Sequence, residues 1–235
     1  MAAAHRPAMA DFPFDMVGFD LDGTLVDTKL DLAAATNHAL ALAGRPPVAP
    51  GRMEALIGGG TRRLLQRALE ESGGALPDGE FDALYADLLA HYEANIAVHS
   101  QPYPGCLDAL DALAARGCAL SVVTNKPEYL SVKLLDALAM RSRFASVIGG
   151  DTAARPKPGP EPIAAALAAG GGTGRFAMVG DSAFDVGAAR AAQVPCVLVS
   201  FGFSETPARE LGADAVVDHF DELVAILQGL TLRRR

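Results

Sequence analysis

Apolar residues along this chain fall into short runs with little polar interruption, at 14–20 (FDMVGFD), 119–124 (ALSVVT), 145–148, 176–180 (FAMVG) and 196–200 (CVLVS). A strand with one wet face alternates apolar and polar side chains, whereas a parallel strand covered on both faces reads as a continuous run. Segments of helical period lie between these runs, at 127–138, 160–169, 182–192 and 220–227. Pro127 and Pro160 open two of them, in the first turn, where a missing N–H costs nothing. Strands alternating with helices predict an α/β fold built on a doubly wound parallel sheet.

The first two apolar runs stand roughly ninety residues apart, far more than one crossover needs. Inside that gap, residues 31–43 read as an Ala- and Leu-rich helix stopped by Gly44, followed by the Pro-rich RPPVAP; 61–71 and 81–97 read as further helices. The expected organisation is a small helical domain at 31–98 inserted after the first strand of a sheet domain made of 12–30 and 99–235. The segment HSQPYPG (99–105) is the expected return hinge.

Composition narrows the partners. A net charge of −8 argues against nucleic acid, which is bound through clustered Lys and Arg. The one basic run, Arg233, Arg234 and Arg235, reads as a solvated tail. Three separated cysteines, Cys106, Cys118 and Cys196, form no CxxC pair and suggest a reduced, cytoplasmic protein. Residues 1–13 contain no apolar core of a signal peptide, and no run approaches the ~18 apolar residues of a membrane span. A protein with no membrane partner, monomeric or homodimeric, is expected.

Four motifs carry candidate chemistry. The octet DLDGTLVD (20–27) follows an apolar strand, which delivers Asp20 to the sheet edge where open α/β folds bind ligands. Asp22 is two residues on and can point to the same side. Two carboxylates so close suit a division of labour, with Asp20 as nucleophile and Asp22 as general acid and then base. VGDSAFD (179–185) places Asp181 past another strand and Asp185 one helical turn further on. With Asp20 these make an all-oxygen donor set, which fits Mg²⁺ better than zinc or copper. VVTNK (122–126) puts Thr124 and Asn125 at the start of a helix, where hydroxyl, amide and free N–H groups can cradle phosphate. RPKPGP holds Lys157 between prolines, which could present a fixed cation. Taken singly, each admits a plainer reading: an Asp-Gly turn, an N-cap at Asp181, strand-end caps, a solvated lysine.

In this order the four motifs resemble the haloacid dehalogenase superfamily. That resemblance implies Asp20 as nucleophile, Asp22 as acid/base, and Thr124 and Lys157 as phosphoryl-binding groups. It also implies Mg²⁺ held by Asp20, the Asp22 carbonyl and Asp181, with Asp185 in support, and a helical cap of the smaller type. TLVDTKLDLAAATNHAL (24–40), IGGGTRRLL (57–65), PYPG (102–105), VVTNKP (122–127), GGD with RPKP (149–158) and VDHFDEL near the end are similar to bacterial phosphoglycolate phosphatases. The expected partner is therefore a small-molecule phosphate ester, 2-phosphoglycolate above others. Gly58, Gly59 and Gly60 precede a helix carrying Arg62 and Arg63; loop amides and the Arg62 guanidinium could bind its carboxylate. Alternatively both arginines lie on a solvated helix face.

Rival readings are a metal-independent dehalogenase, a sugar-phosphate mutase on the same core, and a two-component receiver domain. A dehalogenase has no need of Asp22 or of the Asp181–Asp185 pair. Receivers are shorter and have no helical insertion.

Overall fold

Buried on both faces, strand β1 (Met16–Phe19) is the middle of the architecture. The computed structural model describes residues 12–49, 51–170 and 174–230. The N-terminal segment before Phe12, Pro50 of RPPVAP and the Arg233–Arg235 run, read above as a tail, lie outside the described residues.

After β1 come β2 (Val26–Asp27) and four helices, α1 (Lys29–Leu42), α2 (Met53–Leu56), α3 (Thr61–Ser72) and α4 (Asp78–Ala94). The chain returns through β3 (Gln101–Pro102) to α5 (Cys106–Ala115), β4 (Ala119–Val123), α6 (Glu128–Ala137), β5 (Ser146–Ile148) and α7 (Glu161–Gly170). It ends with β6 (Phe176–Gly180), α8 (Ala183–Ala191), β7 (Cys196–Val199), β8 (Ala215–Val217) and α9 (Leu223–Gly229). Six strands form one sheet in the order β5-β4-β1-β6-β7-β8, and every pairing within it is parallel. The fold is thus the expected α/β sheet with a helical cap inserted after its first strand.

Side-chain alternation explains why the runs are continuous. Val17 and Phe19 of β1, with Ala177 and Val179 of β6, face one apolar cluster with α5, α6 and α9. Met16, Phe176 and Met178 face the other, beneath Ile163 and Ala166 of α7 and Val186, Ala188 and Ala189 of α8. The first cluster continues into the cap through Leu32, Leu40, Leu64, Leu88 and Tyr92, so cap and sheet share apolar packing. Cys106, Cys118 and Cys196 are free and buried, and burial pushes the Cys106 thiol up to about 12 and that of Cys118 to about 11.

Several elements were absent from the pattern. β8 has three residues and α2 four, and α5 had been passed over between the hinge and β4. α4 begins at Asp78, after Pro77, rather than at 81, and ends at Ala94. The segment at 220–227 opens with a 3₁₀ turn, Phe220–Glu222, before α9 begins.

Chain enters and leaves the cap as a two-stranded ribbon, with Val26 opposite Pro102 and Asp27 opposite Gln101. Beside it Asp31, 3% exposed in the first turn of α1, accepts from the His99 and Ser100 amides and from Ser100 Oγ at 2.6–3.1 Å. A carboxylate gathering three donors from the return strand ties the two crossings together. Asp31→Ala leaves those donors without a partner, which costs roughly 1–3 kcal/mol. Urea denaturation should show a lower midpoint at unchanged slope; an unaltered midpoint would mean that water replaces the carboxylate at no cost.

Candidate functional site

From β1 the chain goes on to β4 at one side, and after β5 it crosses to β6 at the other. The carboxyl ends of β1, β4 and β6 therefore meet where the winding reverses, the place where open α/β sheets bind ligands. Asp20 follows β1, Thr124 follows β4 and Asp181 follows β6, all three buried.

Gly23 makes the turn after Asp22 possible. Its φ is +82°, and a Cβ there would lie 2.6 Å from an Asp181 oxygen. Asp181 is held by the Phe203 amide at 2.6 Å and the Thr24 hydroxyl at 3.1 Å. Asp185, fully buried, divides its oxygens. Oδ2 accepts from the amides of Asp181 and Ser182 and the Ser182 hydroxyl, closing a capping box at the start of α8; Oδ1 accepts from Lys157 Nζ at 2.6 Å. Lys157 Nζ is also 3.0 Å from Asp20 Oδ1. This lysine is not in solvent; it is wedged between two carboxylates with its side chain fully buried.

Asn125 has a different place from the one expected. It borders the cleft, but its amide brackets the backbone of Lys157, accepting from Lys157 N at 2.9 Å and donating to Lys157 O at 3.1 Å. It also donates to the Gly58 carbonyl of the cap at 3.3 Å. Lys126, which sequence reasoning passed over, is 1% exposed and donates to both Asp22 oxygens at 2.7 and 2.9 Å. Thr28 Oγ1 donates to the same carboxylate at 2.7 Å.

Arg62 and Gly59 do not border this cleft. Arg62 is half exposed, pairs with Asp82 at 2.6 Å and lies over the rings of Phe81 and Tyr85. Together with Gly59, Arg63 and Arg67 it borders a separate, open groove. Thr61, the first residue of α3, faces inward, and a rotation of about 100° per residue carries Arg62 away from the cleft. What the cap does bring down is Ile57, Gly58, Gly60, Thr61, Leu64 and Leu32. Gly60 has φ +86°, and a Cβ there would lie 2.8 Å from the Asn125 carbonyl, so only glycine allows the loop to sit this close.

These residues close down over Asp20, Asp22, Thr124 and Lys126, leaving a cavity of about 20 Å³.

Charge in the cleft is out of balance. Four carboxylates (Asp20, Asp22, Asp181, Asp185) face two ammonium groups (Lys126, Lys157). Burial pushes the Asp20 carboxyl up to about 6; Lys157 opposes the rise, while Asp185 and Asp22 add to it. Burial, then Asp185 and Asp20, raise Asp181 well above the usual carboxylate range. Burial alone would lower both lysines, but Asp22 and Tyr92 together outweigh it at Lys126, as Asp185 and Asp20 do at Lys157, and both stay firmly protonated.

Asp20, Asp181 and Asp185 each bring an oxygen within 4.8 Å of the others, the one such group among the described residues. Buried carboxylates that repel, in an all-oxygen set, fit a hard divalent cation. Asp22 stands outside this group, its carboxylate turned to Lys126.

Comparison with known proteins agrees with the geometry. Residues 17–199 match the family described as haloacid dehalogenase-like hydrolase. A phosphoglycolate phosphatase of Agrobacterium fabrum is 43% identical over 210 residues, covering 89% of this chain and 90% of that protein. One of Caulobacter vibrioides is 44% identical over 205 residues, covering 87% and 86%. Among solved structures, a predicted phosphoglycolate phosphatase from Haemophilus somnus superposes with a TM-score of 0.86 at 31% identity, covering 91% of this chain and 98% of that one. Among the described residues no helix is long and apolar enough to cross a membrane.

Asp181→Asn tests the charge imbalance directly. The amide can still accept from Phe203 N and can donate to Thr24 Oγ1, so shape and hydrogen bonding survive while one repelling charge goes. In chelator the variant should melt above the wild type, by roughly 2–4 °C for each kcal/mol relieved. It should also gain less from added Mg²⁺. A variant that melts lower in chelator would show that the acidic trio is not under electrostatic strain.

Proposed function

This chain belongs to the haloacid dehalogenase-like hydrolases, and from that premise we propose that it is a Mg²⁺-dependent phosphatase that hydrolyses a small phosphate monoester, 2-phosphoglycolate above others, through a phosphoryl group carried on Asp20. The observation that carries this reading is Asp20 itself: buried at the end of β1, beside Lys157 and the Asp181–Asp185 pair, and bordering a cleft shared with Asp22 and Thr124. Two relatives at 43% and 44% identity bear the name phosphoglycolate phosphatase.

In this reading an Asp20 oxygen attacks phosphorus in line with the ester oxygen. Asp22 gives its proton to the departing alkoxide, then takes one from the water that hydrolyses the aspartyl-phosphate. Thr124 and the backbone beside it hold the phosphoryl oxygens, and Lys157 offsets charge from behind Asp20. Asp20, Asp181 and the Asp22 carbonyl would hold Mg²⁺, with Asp185 in support; the ion supplies positive charge opposite the phosphoryl oxygens. The cap at 31–98 excludes bulk water. Its Gly60–Thr61 turn, rather than Arg62, meets the far end of the ester.

Phosphate release from a panel of small esters, with Mg²⁺ and with chelator, is the primary experiment. Phosphoglycolate should be preferred, and chelator should abolish release reversibly. Asp20→Asn, folded by circular dichroism, should have no turnover; substantial release by that variant would rule out the mechanism.

Arg62→Ala should change kcat/KM on phosphoglycolate by no more than about twofold, since an exposed ion pair contributes little. A tenfold loss confined to phosphoglycolate would return Arg62 to the substrate.

A further inference from the structure

We infer that Lys126 is a positioning residue for catalysis, fixing the Asp22 carboxylate, and that Tyr92 of the cap holds Lys126 in place. The inference rests on the acid/base role proposed for Asp22. A buried ammonium loses its hydration and needs partners in return. Lys126 has two kinds. Two of its donors go to the two Asp22 oxygens, and its Nζ lies 4.5 Å from the centroid of the Tyr92 ring. A desolvated cation over an aromatic face is attracted to it. Tyr92 is fully buried on α4, with its ring under the ammonium. With Thr28 on the other side, Asp22 is gripped by the core, while the lysine gripping it is backed by the cap.

The chemistry asks for such a grip. When Asp22 passes its proton to the leaving oxygen, the ester bond breaks and the electron pair stays on that oxygen as the new O–H forms. A carboxylate remains, which Lys126 stabilises where it stands. In the second step that carboxylate takes a proton from water as the new P–O bond forms and the aspartyl oxygen leaves, restoring the acid. Lys126 neither gives nor takes a proton; it aims the group that does.

The test is a cycle of wild type, Lys126→Met, Asp22→Asn and the double variant, with kcat and KM measured on phosphoglycolate in Mg²⁺. Lys126→Met should lower kcat by about ten- to a hundred-fold, a part of what general acid–base catalysis supplies, with KM little changed. In the Asp22→Asn background the same substitution should add almost nothing. Equal losses in both backgrounds, or a loss falling on KM, would overturn the inference and make Lys126 a direct binder of substrate. If Asp22→Asn itself keeps full kcat, the acid/base assignment falls and the inference with it. Tyr92→Leu should lower kcat in the same manner and Tyr92→Phe should restore it. This pair decides the matter if Lys126→Met does not fold: an undiminished kcat in Tyr92→Leu, or no rescue by phenylalanine, overturns it.

Discussion

Lys157, wedged between Asp20 and Asp185, is the interaction on which the rest of the site depends. Without it two buried carboxylates would face one another across a few ångströms of low dielectric, and one would have to take up a proton. Its position is over-determined. The Asn125 amide brackets its backbone, and Asp185 both receives its ammonium and closes the first turn of α8. One carboxylate thus ties the loop carrying the lysine, the end of β6 and the start of α8 into a single unit. Lys157 leaves Asp20 pushed up only to about 6, within reach of neutral pH, and leaves a deficit of positive charge that a divalent cation fits.

What was legible in the sequence follows how local the physics is. Asp20, Thr124 and Asp181 each stand directly after an apolar run, and an apolar run buried on both faces is a strand end whatever surrounds it. Asp185 was legible because one helical turn from Asp181 fixes its direction. Lys126 was not. Its partner Asp22 is 104 residues away, and nothing near it distinguishes a buried lysine from a solvated one. The Val26–Asp27 and Gln101–Pro102 ribbon was hidden for a related reason: two residues cannot show a period, and the pairing spans the whole cap. Arg62 is the opposite case. Its charge and its place beside a glycine loop suggested a ligand, but which face of α3 meets the core is set by Leu64, Leu65, Ala68 and Leu69, and they put Arg62 outside.

The contacts between cap and core differ in kind from hinge to rim. At the hinge the Asp31 carboxylate holds three donors in a buried setting. At the rim the links are exposed or thin: Arg52 and Arg67 to Glu205, Lys133 to Glu93, Arg63 over the Phe184 ring, and Asn125 to the Gly58 carbonyl. Exposed ion pairs contribute about 0–1 kcal/mol each and are screened by salt. A cap fastened this way gives at the rim before it gives at the hinge. Opening by rotation about the Val26–Asp27 and Gln101–Pro102 ribbon would break these polar links at little cost, since water replaces them well.

One contact between cap and core is not of that kind, and it is the one nearest the chemistry. The Tyr92 ring over Lys126 is buried, and a cation leaving an aromatic face in the dry interior loses more than one leaving it in water. Opening the cap would uncover Lys126 and let water reach the Asp22 carboxylate it holds. Closure would remove that water and return the ring. In the mechanism proposed here, exclusion of solvent and alignment of Asp22 would accompany one movement. A cap that merely covered the cleft would need only a close-fitting loop such as Ile57–Thr61, whereas placing a buried aromatic on the lysine that grips Asp22 would link the closed state to the proton transfer proposed for that carboxylate.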